Sequence, residues 1–231
     1  LKIKLFCFPY AGGSASVYHK WKRLINQNIE IIPIEFNGRG KKISLTHCES
    51  FEDLVRESFN EVKSHLSDGE KYALFGHSMG GILVYELANK IFNSDLHNPS
   101  KIFISGANPP ILKRKTKISH LDDDTFLQKV IEIGGTPEEI ASNLELREIF
   151  LPILKADFSL MENYQPKRYK HIGKAVVVLY GLYDQITTGE TIEYWGEMFD
   201  HPIKIYGLNG GHFFIKEDEL EVIGIIEANL I

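Results

Sequence analysis

Tyr72-Ala73-Leu74-Phe75-Gly76-His77-Ser78-Met79-Gly80-Gly81-Ile82-Leu83 is the stretch on which the reading of this chain turns. Its first four residues include an apolar run with no polar alternation, the pattern of a strand buried on both faces. From Ile82 onward, Leu83, Leu87, Ala88 and Ile91 follow a helical period. Between strand and helix stands glycine, any residue, serine, any residue, glycine. A turn this tight admits no side chain at Gly76 or Gly80. It forces Ser78 into a strained backbone conformation and lifts its hydroxyl above the sheet edge. The helix N-terminus behind it adds positive potential where an oxyanion would form. Ser78 is therefore expected to be a nucleophile rather than the capping serine of a glycine turn.

Working outward, short apolar runs recur at Ile3 to Phe8, Ile29 to Phe36, Lys101 to Ser105, Ala175 to Tyr180 and Ile203 to Tyr206. Helix-like segments separate them, among them Phe51 to Leu66 and Glu217 to Asn229, with a shorter one near Ser16 to Leu24. Strands alternating with helices predict an α/β fold with a mostly parallel sheet and helices on both faces. Residues 113–169 break the alternation. Asp122 to Thr125 start a helix that Gly134-Gly135 stops, Thr136-Pro137 start another, and Leu144 to Met161 form a third, interrupted near Pro152. A plain crossover needs about a dozen residues. The longer insertion reads as a helical lid over the C-terminal edge of the sheet, within a single domain spanning 1–231.

Composition sets the outer bounds. The chain has 231 residues, 43% hydrophobic and 25% charged, which excludes extensive disorder and a small disulfide-stapled fold. Lys plus Arg number 26 against 31 Asp plus Glu, a net charge of −5 that argues against general nucleic-acid binding. Cys7, in an apolar run, reads as a small buried hydrophobe, and neither it nor Cys48 has metal-ligand spacing. The opening Leu1-Lys2-Ile3-Lys4-Leu5-Phe6 has no secretory pattern, and no apolar run approaches the roughly 20 residues that span a bilayer. A cytoplasmic monomer without membrane attachment is the expectation.

A serine nucleophile needs a base. His77 lies on the same turn and is placed to pack beneath it. His212 differs from the other histidines. It lies in Asn209-Gly210-Gly211-His212-Phe213-Phe214, after one strand and before the last helix, on the same sheet edge as Ser78. Asp184, in Tyr180-Gly181-Leu182-Tyr183-Asp184, follows the preceding strand onto that edge. It is the expected partner that sets the tautomer of His212. Asp200 lies before a strand, at the opposite edge, and Asp157 belongs to the insertion. The chain order Ser78, Asp184, His212 is that of α/β-hydrolases. An oxyanion needs two backbone donors. Met79, after the nucleophile, supplies one. Ala11, or alternatively Tyr10, in Phe8-Pro9-Tyr10-Ala11-Gly12-Gly13-Ser14 supplies the other. Each donor is worth about 3–4 kcal/mol in a transition state.

With these segments in hand, the chain resembles the type II thioesterases that accompany nonribosomal peptide and polyketide synthetases. The resemblance runs nearly end to end. Its parts are Phe6 to Ser14, Gly38-Arg39-Gly40, Gly76 to Gly81, Ser105-Gly106-Ala107-Asn108-Pro109-Pro110 and Gly210 to Phe214. It implies an α/β-hydrolase with a helical lid, whose Ser78, Asp184 and His212 form a triad. It further implies hydrolysis of acyl groups held on the phosphopantetheine arm of a carrier protein, with no metal and no cofactor beyond that arm. Asn37 replaces the proline that many relatives carry before the Gly-Arg-Gly turn. Ser105 to Asn108 hold no carboxylate, unlike the corresponding place in many integrated chain-terminating domains, which favours Asp184 and the stand-alone class. Carrier proteins are usually acidic, so docking calls for a basic patch, and Lys113, Arg114, Lys115 and Lys117 are the expected one. The alternatives at this stage are a carboxylesterase or lipase acting on small esters, and a non-catalytic hydrolase fold that binds a ligand.

Overall fold

In the computed structural model, residues 2–112, 117–166 and 175–231 are described. The apolar runs form strands β1 (Ile3–Phe8), β2 (Ile29–Pro33), β3 (Tyr72–His77), β4 (Lys101–Ser105), β5 (Val176–Gly181) and β6 (Lys204–Leu208). They make one parallel sheet in the order β2-β1-β3-β4-β5-β6, with Phe8 paired to Gly76 and His77 to Ser105. The helices are α1 (Trp21–Leu24), α2 (Phe51–Ser64), α3 (Met79–Phe92), α4 (Asp123–Ile133), α5 (Glu139–Ser142), α6 (Leu144–Asn163), α7 (Gly189–Glu193), α8 (Phe214–Glu217) and α9 (Glu219–Leu230).

The uninterrupted apolar character of the strands is explained by burial on two sides. Phe6, Phe8 and Leu74 face one core with Leu54, Leu83, Leu87 and Trp195. Leu5, Cys7 and Phe75 face the other with Trp21, Val222 and Ile226. Each fully buried large side chain removes about 1.5–3 kcal/mol worth of apolar surface from water, so both faces need a helical cover. The insertion has a separate small core of Phe126, Leu127, Val130, Ile140 and Leu154.

Several boundaries differ from expectation. Strand β2 ends at Pro33, short of the expected Phe36; Pro33 is tolerated because β2 is the edge strand, and Ile34 N–H still donates to Cys7 O at 2.9 Å. The segment at 16–24 divides into a 3₁₀ turn (Ala15–Tyr18) and α1. The C-terminal helix forms as α9 two residues later than expected, and a separate short helix, α8, precedes it. The expected interruption near Pro152 is absent, and α6 runs through it from Leu144 to Asn163. Burial of Ile153, Leu154, Asp157, Leu160 and Met161 just beyond the proline holds that helix together despite the missing N–H. Among the described residues between 113 and 169 no strand occurs, as expected.

Candidate active site

The Gly76–Gly81 turn folds as its residues demand. Ser78 has φ 55° and ψ −113°, and among the described non-glycine residues it alone has positive φ. Such a conformation costs on the order of 1–3 kcal/mol and persists only where its surroundings enforce it. Here they do: Ser78 N–H donates to Ser105 O at 2.8 Å on the neighbouring strand, and Ser78 O accepts from Gly81 N–H at 2.9 Å. A Cβ at Gly76 would overlap the Gly80 carbonyl, and one at Gly80 would overlap the Phe8 carbonyl. The segment leaving β1 therefore passes directly against the turn.

Ser78, Asp184 and His212 meet at the C-terminal edge of the sheet. His212 Nε2 lies 3.0 Å from Ser78 Oγ, and His212 Nδ1 lies 2.7 Å from Asp184 Oδ2. Asp184 and His212 are both buried. Asp184 also accepts from Ile186 N–H at 2.7 Å on Oδ1 and from the Thr187 hydroxyl on Oδ2. Burial by itself would raise the Asp184 carboxyl. The hydrogen bond and charge of His212, with the bonds from Thr187 and Ile186, outweigh it and hold the group below the usual carboxylate range. An ionised Asp184 only accepts, so Nδ1 carries the ring proton and the Nε2 lone pair faces the Ser78 hydroxyl. This arrangement can take a proton from the hydroxyl as it attacks an electrophilic carbonyl.

The two expected backbone donors sit on adjoining turns. Met79 opens α3, where an N–H has no intrahelical acceptor. Ala11 is the second residue of a turn closed by Gly13 N–H to Tyr10 O at 2.9 Å, with Gly12 at φ 78°. Tyr10 contributes its carbonyl to that turn, and its ring packs edge-on against Phe213 at 4.9 Å and His77 at 6.0 Å. His77 does lie beneath the turn. It is fully buried, with Nδ1 2.9 Å from Ser105 Oγ, and burial, helped by nearby His212, pushes its imidazole well below the usual histidine range.

Of the basic patch, Lys113, Arg114 and Lys115 lie outside the described residues. Lys117 is exposed, with its ammonium 3.4 Å from Asn163 Oδ1 at the end of α6. Sequence reasoning missed Thr187, whose position three residues after Asp184 is the spacing of a local Asp–Thr turn. It also left Arg39 without a partner. In the structure Arg39 Nη1 and Nη2 each lie 2.6 Å from an oxygen of Asp157, both side chains being buried. Asp157 Oδ2 also accepts Gly12 N–H at 2.7 Å, and Arg39 Nη1 donates to Gly13 O at 3.0 Å.

Comparison with known proteins gives the family. The thioesterase domain family matches residues 3–230. Gramicidin S biosynthesis protein GrsT of Aneurinibacillus migulanus is 32% identical over 226 residues, covering 96% of this chain and 86% of that protein. The solved structure of ClbQ from the colibactin NRPS/PKS pathway is 31% identical with a TM-score of 0.92, covering 100% of this chain and 97% of its own. YbtT, a type II thioesterase from the yersiniabactin NRPS/PKS pathway, is 26% identical with a TM-score of 0.89, covering 99% and 92%.

Proposed function

The chain belongs to the thioesterase domain family as a type II thioesterase of nonribosomal peptide and polyketide synthetase clusters, and from that premise we propose that it hydrolyses acyl or aminoacyl groups from the phosphopantetheine arm of carrier proteins through an acyl-enzyme on Ser78. The observation that carries this reading is the continuous chain from Ser78 Oγ through His212 to Asp184, at 3.0 and 2.7 Å.

In the proposed reaction His212 Nε2 takes the Ser78 proton as Oγ attacks the thioester carbonyl. The Met79 and Ala11 N–H groups hold the oxygen as it becomes negative. Asp184 stabilises the imidazolium that forms. Collapse breaks the C–S bond, and the His212 imidazolium gives its Nε2 proton to the departing pantetheine sulfur, which leaves as the thiol and restores the neutral ring. A thiol with pKa of about 8–9 leaves with less acid assistance than an amine. Water then enters, gives a proton to His212, attacks the Ser78 ester and releases the free acid, regenerating the hydroxyl. Residues 113–169 are read as a lid. Its helices carry a core of their own and reach the active-site loops at Gly12, which Leu154 and Asp157 contact.

The test is thiol release from an acetylated carrier protein and from acetyl-pantetheine, beside a matched oxygen ester. Wild type is expected to favour the thioester and Ser78→Ala to abolish turnover and labelling by a fluorophosphonate. Residual turnover in Ser78→Ala, or equal preference for the oxygen ester, overturns the reading. Charge reversal at Lys113, Arg114, Lys115 and Lys117 is expected to raise KM for the carrier-bound acyl group alone. An equal effect on acetyl-pantetheine rejects docking through these residues.

A further inference from the structure

We infer that Arg39 and Asp157 are positioning residues for the oxyanion donor on the β1 loop, making helix α6 a fixed part of the catalytic apparatus; the inference rests on Ser78 being the nucleophile and Ala11 a donor. The pair joins segments 118 residues apart in sequence. Arg39 comes from the Gly38-Arg39-Gly40 turn beyond β2. Asp157 comes from α6, in the insertion. Their common target is the Tyr10–Gly13 turn that carries Ala11.

The contacts reach that turn from two sides. Asp157 Oδ2 takes the Gly12 N–H at 2.7 Å, and Arg39 Nη1 gives to the Gly13 carbonyl at 3.0 Å. The peptide group between Ala11 and Gly12 and the one between Gly13 and Ser14 are thus gripped, the first of them formed by Ala11's own carbonyl carbon. Arg39 holds both Asp157 oxygens at 2.6 Å, so the carboxylate cannot rotate without breaking a charged bond. Leu154, one helical turn before Asp157, lies against Gly12 and would overlap any Cβ there. A charged bond and an apolar contact from one helix face therefore bear on the same residue.

The turn itself depends on these contacts. Gly12 has φ 78° and bears no side chain, so within the loop its backbone is held by the Gly13 N–H to Tyr10 O bond and by no packing of its own. On its other side the segment passes the Ser78 turn, where Phe8 and Pro9 carbonyls face Gly80. An oxyanion donor must lie within about 2.7–3.1 Å of the oxygen it stabilises, and a displacement near 1 Å can lower the rate by about 10²-fold. The Arg39–Asp157 pair supplies the fixed reference that a glycine-rich turn lacks. The pair makes no hydrogen bond to Ser78, His212 or Asp184, so its removal takes no direct partner from that chain.

The test compares Asp157→Asn and Arg39→Lys with wild type on acetyl-pantetheine, with active sites counted by fluorophosphonate labelling carried to completion. Expected is a fall in kcat per labelled site of about 10- to 100-fold with KM changed less than threefold. An alkyl boronic acid, which forms a tetrahedral adduct on the nucleophile, is expected to lose affinity in the same proportion as kcat. Labelled variants with wild-type kcat per site and wild-type boronate affinity overturn the inference. Failure of both variants to yield folded, labelled protein also overturns it, because the pair would then be a requirement of the fold. Wild type that neither labels at Ser78 nor turns over refutes the nucleophile instead, independently of either variant.

Discussion

Replacing Asp184 by asparagine tests the site at the atom where its logic is concentrated. The carboxylate accepts from His212 Nδ1 and Thr187 Oγ1 on Oδ2 and from Ile186 N–H on Oδ1. A carboxamide keeps one acceptor oxygen. If that oxygen stays with Ile186, the NH₂ faces His212 and donates to Nδ1. The ring proton then moves to Nε2, 3.0 Å from Ser78 Oγ, and the base is lost. If the amide turns over, the NH₂ meets the Ile186 N–H, and a part-buried donor left without its partner costs on the order of 1 kcal/mol. The protein's own backbone thus selects the unproductive tautomer. Stabilisation of the imidazolium by a charged partner is lost as well, and a charged hydrogen bond exceeds a neutral one by about 1–2 kcal/mol. Together these terms raise the barrier by roughly 2–3 kcal/mol, or about 30- to 150-fold in kcat at 1.36 kcal/mol per decade. The assay is thiol release from acetyl-pantetheine, normalised to folded protein by melting curves. A kcat within tenfold of wild type would refute the argument, since another group would then be orienting His212.

Three further outcomes are expected. Gly80→Ala puts a methyl into the Phe8 carbonyl, so the nucleophile turn cannot close; soluble protein that labels at the wild-type rate would contradict the fold of this turn. His77 is held neutral by burial, whereas an unfolded histidine gains a proton below about pH 6.5, so this group stabilises the fold above that value and its contribution falls as pH drops toward the depressed native value. Urea unfolding between pH 6.5 and 5 should lose up to about 1.4 kcal/mol per pH unit more in wild type than in His77→Gln, and parallel curves for the two would remove the assignment. Pro152→Ala restores a helix N–H in α6 and should stabilise the protein by up to about 3 kcal/mol in denaturant titration, whereas destabilisation would mean that the proline shapes the contact with the β1 loop.

What could be read from the chain follows from the range over which each signal acts. Strands such as Ile3–Phe8 and Lys101–Ser105 announce themselves because a strand covered on both faces must be apolar at successive positions. Ser78, Asp184 and His212 are separated in sequence, yet each sits just after a strand of a parallel sheet, and that topology alone delivers them to one edge. Signals fail where tertiary contacts override a local rule. Pro152 reads as a break, but the buried residues beyond it keep α6 continuous. Thr187 is visible only once Asp184 has been fixed as its acceptor. Arg39 stands out in a two-glycine turn, but nothing local says what it holds. Asp157 reads as one more acid of a helical insertion.

The burial of Arg39 and Asp157 also argues about what such a pair is for. As a source of stability it is a poor choice, because desolvating both charges offsets most of their attraction and an apolar pair of like volume is often neutral or better. Side-chain exposures of 4% and 3% leave little room for water to soften that penalty. Breaking the pair is another matter, since one stranded charge costs about 3–5 kcal/mol. An arrangement that gains little from being made and loses much from being disturbed serves direction rather than strength. An apolar pair could fill the space between α6 and the β1 loop, but it could not hold the Gly12 N–H and the Gly13 carbonyl at set distances. Helix packing has tolerances near an ångström, whereas oxyanion geometry is confined to a few tenths. A guanidinium fork closed on a carboxylate is one of the few side-chain pairs stiff enough to carry the tighter tolerance from a helix to a loop.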